Sequence, residues 1–162
     1  MQSVAVLSAQ AGTDILLLTG SEFYKLELQS DGTGTAGVNW DKLAITTGIN
    51  NDTLINEGAT PVTLKLQTLT GLGANGALAS WDGNTNHVWT DILTTTGGWS
   101  VAFSPSQFTI DTSGFANSFI GTFSVVDNGA GLNLVYTVPE PSVGLSLLLG
   151  SGLLASFRRR RP

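Results

Sequence analysis

The sequence predicts an all-β chain: a β-solenoid end or cap, or a β-sandwich-like body, followed by a single C-terminal transmembrane helix. Three observations predict it. Apolar and polar residues alternate with period two in several short segments, the mark of half-buried strands. Clusters of Gly, Asn and Asp separate these segments, and the chain holds 20 glycines with only 12% charged residues, proportions that favour turns and strands over helices. Finally, residues 138–162 join an extended Pro-containing tetrapeptide to an uncharged run and four arginines.

The strands follow in order. Tyr24, Leu26 and Leu28 alternate with Lys25, Glu27 and Gln29, and Val62, Leu64 and Leu66 alternate with Thr63, Lys65 and Gln67. Phe119, Phe123 and Val125 share one face, and Leu132, Leu134 and Tyr136 share another. Turn chemistry stands at Ser30–Gly34, Gly48–Asp52, Gly71–Gly76, Trp81–Asn84 and Asp127–Gly131. The last joins Phe119–Val126 to Leu132–Thr137 as a predicted hairpin. Before the tail, no segment reads as a long helix.

A weak internal repeat runs through the body. Segments beginning at Asp14, Asp41 and Asp91 share Leu two residues on, Thr five on, and then Gly, and Leu66–Gly71 is a degraded copy. The Asp spacings are 27 and 50 residues, so a period near 25 residues would fit one coil of a β-solenoid. Chance similarity among Thr-rich strands that end in Gly is the alternative.

Composition bounds the chemistry. The chain has room for one domain, residues 1–137, plus a tail, residues 138–162. Its net charge of −5 is split: the four tail arginines leave Lys25, Lys42 and Lys65 against eleven acids in the body, a balance of −8. Such a surface opposes nucleic-acid binding, which needs cations for phosphates. The absence of cysteine removes disulfides, thiol catalysis and Cys-based metal sites, so an exported domain must rely on its core or on repetition.

Each part of the tail has a physical role. In Val138-Pro139-Glu140-Pro141 the prolines fix φ and remove two donors, and they push Val138 and Glu140 toward extended geometry. Residues 142–157 carry no charge and span roughly 24 Å as a helix at about 1.5 Å per residue. That is short of the bilayer core of about 30 Å, but arginines can snorkel to the headgroups. Its Ser and Gly residues suit close packing of a membrane helix. Arg158, Arg159, Arg160 and Arg161 then act as the membrane stop and stay on the cytoplasmic side, placing the body outside.

Motif, apolar run and Arg cluster together resemble the PEP-CTERM sorting signal of bacterial exported proteins, over Val138 to Arg161, with Pro139, Glu140 and Pro141 at the motif positions. The resemblance implies uptake by exosortase, a membrane-embedded cysteine transpeptidase-like enzyme, cleavage near Pro139–Pro141, and producers that make extracellular polysaccharide. Family members normally begin with a secretory leader. Here Met1-Gln2-Ser3 bears no positive charge and Val4–Leu7 is shorter than the usual apolar region of about 7–15 residues, so the start is expected to fall inside a longer protein or to be a miscalled start codon. The body segments Gly37–Leu43, Phe108–Phe119 and Leu132–Tyr136 are similar to the C-terminal parts of autotransporter-type β-strand-repeat proteins. That likeness implies the terminal coils and cap of a right-handed β-helix.

No catalytic constellation emerges. His87 is the only histidine; beside Val88 and Trp89 it reads as strand packing, and no G-x-S-x-G elbow exists. Asp31, Asp82 and Asp127 stand next to Gly or Asn, where Asp is a good turn former. Trp81, Asp82 and Trp89 are the candidate ligand-contacting residues, since exposed tryptophans stack on sugars; the competing role is core packing. No cofactor is expected, although the turn Trp81–Asn86 could offer oxygens to calcium. Asn51-Asp52-Thr53 matches a glycosylation sequon but reads as a turn. The expected function is a non-enzymatic cell-surface or extracellular-matrix structural protein, processed by exosortase at the bacterial inner membrane; the alternative is a carbohydrate-binding or adhesive module. Extracellular polysaccharide is a candidate partner and nucleic acid is not.

Overall fold

The computed structural model describes residues 4–8, 16–18, 23–46, 53–55, 61–96 and 103–140. The fold is all-β. Its strands are β1 (Val4–Ser8), β2 (Leu16–Leu18), β3 (Phe23–Leu28), β4 (Lys42–Thr46), β5 (Thr53–Ile55), β6 (Val62–Thr68), β7 (His87–Thr95), β8 (Phe108–Gly114), β9 (Thr122–Asp127) and β10 (Gly131–Thr137). A single 3-10 turn at Pro105–Gln107 is the one helical element among the described residues.

Three sheets form: β1-β4-β7-β10-β9, β2-β5 and β3-β6-β8. The chain visits them in a fixed order, since β1, β2 and β3 are followed by β4, β5 and β6 in the same three sheets, and then by β7 and β8 in the first and third. Every pair made between successive visits is parallel. Parallel neighbours need long crossovers, and here each crossover supplies the strands of the other sheets.

The alternation read from the sequence positions the core. Leu26 and Leu28 of β3, Val62, Leu64 and Leu66 of β6, and Leu132, Leu134 and Tyr136 of β10 are all buried. Their partners stack like on like: Leu26 opposite Leu66, Tyr24 opposite Leu64, Leu64 opposite Ile110. Each such aliphatic side chain contributes about 1.5–3 kcal/mol on burial, so the stacked rows are the main source of stability.

The repeat is partly realised. The Asp41 and Asp91 copies lie side by side, with Leu43 opposite Leu93, Ala44 opposite Thr94 and Ile45 opposite Thr95. The Asp14 copy does not join them: Leu16–Leu18 pairs with Thr53–Ile55 in the two-stranded sheet, and the Leu66 copy begins in β6 of the third sheet. Stacked partners are 37 residues apart at Leu16–Thr53 and 50 apart at Leu43–Leu93, so a spacing near 25 residues is not the stacking period. The shorter spacing compares strands that belong to different sheets.

The predicted hairpin is present, with β9 antiparallel to β10 from Leu132–Asp127 to Thr137–Thr122. It starts at Thr122 rather than at Phe119, because the Ile120 and Gly121 amides turn away to the Tyr136 hydroxyl. β10 also pairs with β7, but the register slips: Leu132 faces Leu93 and Leu134 faces Trp89. The bulge lies in β7 at Asp91, which has φ 54°. There the Asp91 amide donates to Asn133 Oδ1 at 2.9 Å instead of to a strand.

Among the described residues no helix is long and apolar enough to cross a membrane. The expected span 142–157, Pro141 and Arg158–Arg161 lie outside the described residues.

Candidate functional site

The feature that bears on function is the point where the chain leaves the folded body. β10 runs between β7 and β9, and its last pairs are Tyr136 with His87 and Phe123, and Thr137 with Thr122. Next, the Val138 amide donates to Asn86 Oδ1 at 2.8 Å, and the Val138 side chain packs against the core. Pro139 has no N–H and cannot extend a ladder. Pro139 and Glu140 are exposed. Among the described residues, Val138 is thus the last to bond to the body through its backbone.

Tyr136 locks this end. Its side chain is fully buried. The hydroxyl accepts the Ile120 amide at 3.1 Å and the Gly121 amide at 2.8 Å, and donates to the Gly83 carbonyl at 2.7 Å. Three segments, 82–86, 118–121 and 136–138, are thus tied together around one oxygen. Gly83 and Gly121 are required there by space: an added Cβ would come within 2.9 Å of the Ser118 carbonyl oxygen and 2.2 Å of the Thr137 carbonyl oxygen, respectively.

An aromatic cluster floors the exit. Trp81 stacks on His87 at 4.5 Å, meets Phe115 edge-on at 4.9 Å and lies 4.9 Å from Tyr136. The three described tryptophans also act as staples between segments distant in sequence through their indole N–H groups. Trp40 donates to the Thr90 carbonyl, Trp89 to the Ser30 carbonyl and Trp81 to the Ser118 carbonyl, each at 2.8 Å.

These contacts correct one part of the sequence expectation. Trp89 is 0% exposed and has no free face for a ligand, because β7 turns it into the core opposite Leu134. Trp81 is half-buried and Asp82 exposed. Asp82 Oδ1 accepts from the Asn84 amide at 2.9 Å and from its side chain at 3.1 Å, which closes the turn. No cluster of three or more acidic or histidine side chains that could hold a metal occurs among the described residues. His87 Nε2 donates to the Asp82 carbonyl at 2.8 Å and lies 3.1 Å from the Thr85 hydroxyl, so it clips the same turn.

Electrostatics here are local. Burial, reinforced by the charge of Asp41, pushes the Tyr24 hydroxyl far above its usual range. Partial burial would raise the Asp31 carboxyl, but hydrogen bonds from the Thr33 hydroxyl and amide outweigh it and hold the group below the usual range. The Ser113 amide and hydroxyl do the same for Asp111. An open groove of about 450 Å³ between β8 and β9 is lined mainly by Phe108, Ile110, Phe123 and Val125; it contains none of the predicted site residues.

Asn86 and the Tyr136 hydroxyl were not legible as site residues. Asn86 reads only as one of the turn oxygens of Trp81–Asn86 that could meet calcium, and Tyr136 as the next apolar position of a strand. Comparison of the chain with family models, with curated proteins and with solved structures gives no match.

Proposed function

We propose that this chain forms part of an exported β-solenoid and presents a cleavable PEP-CTERM-type signal to an exosortase-type enzyme. The observation that carries the proposal is the abrupt end of the body at Val138, with Pro139 and Glu140 exposed immediately beyond it. A transpeptidase-like enzyme needs an extended, unpaired backbone in its cleft, and prolines supply both properties. The repeated passage through three sheets with parallel pairing supports the solenoid assignment.

Residues 142–157 would hold the chain in the membrane, Arg158–Arg161 would fix its orientation, and cleavage near Pro139–Pro141 would release or transfer the body. The body would then serve as a structural module of the cell surface or extracellular matrix. The buried, bonded indoles of Trp40 and Trp89 favour that role over a carbohydrate-binding module, which among the described tryptophans would have to work from Trp81.

The test compares strains with and without the exosortase that express the chain behind a secretory leader. A shorter, released product only in the enzyme-containing strain is the expected outcome. Identical size and location in both strains would overturn the proposal.

A further inference from the structure

We infer, on the basis of the membrane assignment of residues 142–157 made above, that the exit end of the body docks on a zwitterionic lipid surface through Phe119 and Ile120. Distance carries the inference first. Val138 is fixed to the body by Asn86, and five Cα steps separate it from Val143. At about 3.3–3.6 Å per step, the apolar run begins within roughly 18 Å of that anchor. The headgroup layer of one leaflet takes up about 5–7.5 Å of this distance, since a bilayer is about 40–45 Å thick around a core of about 30 Å. The exit end of the body is therefore held within about 13 Å of the headgroups, close enough for side chains at that end to reach them.

The surface presented at that end has the matching chemistry. Ile120 is 66% exposed and Phe119 is 37% exposed. Both belong to the turn whose amides are held by Tyr136, and Gly121 backs directly onto the Thr137 carbonyl. The two apolar side chains are thus held rigidly beside the point of departure, at no cost in loop ordering. The lysines lie elsewhere, on β3, β4 and β6, while Asp82 and Glu140 flank the exit. Without cations and with two acids, this end suits a zwitterionic surface and not an anionic one. Aromatic and aliphatic residues at headgroup level stabilise such contacts.

The absence of cysteine makes the test direct. Three single-cysteine variants of the full chain, Ile120→Cys, Ala130→Cys and Leu149→Cys, are labelled with an environment-sensitive fluorophore and reconstituted in zwitterionic nanodiscs. Ala130 is exposed at the opposite end of β10, about 20 Å from the exit at about 3.4 Å per residue. The expected result is quenching of the 149 label by acyl-chain nitroxides, a blue shift and headgroup-nitroxide quenching at 120, and neither at 130. Quenching at 149 with a 120 label as wet as the 130 label would overturn the docking inference and leave the membrane assignment intact. An unquenched 149 label would overturn the membrane assignment and the docking with it. A 120 label that shifts only when the exosortase is added would make this a protein-docking face and overturn the lipid assignment.

Discussion

The Tyr136 hydroxyl donates to the Gly83 carbonyl at 2.7 Å across 53 residues of chain. The same oxygen receives the Ile120 and Gly121 amides, so one side chain joins the last strand to two preceding turns. Tyr136→Phe removes all three bonds and leaves two main-chain donors without their acceptor. The expected loss is about 2–4 kcal/mol, read from urea unfolding, with faster amide exchange over residues 118–121.

Asn86→Ala removes the clamp on Val138. That bond is exposed, so global stability should change by about 1 kcal/mol or less. The local effect should be larger: with the clamp gone, limited proteolysis should cut further into β10 than in the parent chain. Unchanged cleavage sites would show that Pro139, not Asn86, defines the end of the body.

Asp91 sits in β7 at φ 54°, a conformation that Asn and Asp tolerate and β-branched residues do not. Its carboxylate also accepts from Asn128 Nδ2 at 3.0 Å. Asp91→Val should cost about 2 kcal/mol or more from strain and the lost bond, while Asp91→Asn should be close to neutral. Thermal melting of the two variants checks the difference.

Asp31 and Asp111 have carboxyls held below their ordinary range. A folded pKa below the unfolded one contributes stability that is present above the unfolded value, about 4, and lost as pH falls through the folded value. Stability should therefore fall on acidification below about pH 4. The double variant Asp31→Asn, Asp111→Asn should flatten that decline by lowering stability at neutral pH toward its acid value, as measured by urea midpoints from the acid range to neutral pH.

The strands were legible in the sequence because half-burial imposes period two, as at Tyr24–Leu28, Val62–Leu66 and Leu132–Tyr136. The hairpin was legible from Asp127–Gly131. The stacking order was not, because similar segments at Asp14 and Asp41 entered different sheets, and only the copies at Asp41 and Asp91 became neighbours. Trp89 shows the limit for sites: its indole bonds to the Ser30 carbonyl 59 residues away, and nothing local distinguishes a buried indole from an exposed one. Asn86 is likewise defined only by the strand end that folds back beside it.

The central claim is that the folded body stops at Val138 and the segment beyond it is the processing site. Mass-spectrometric determination of the C-terminal residue, after processing by membranes that contain the exosortase, tests it most directly. The account predicts a new terminus between Val138 and Pro141, with the body's unfolding midpoint unchanged. A terminus within Gly131–Thr137, or no cleavage at all, would contradict it.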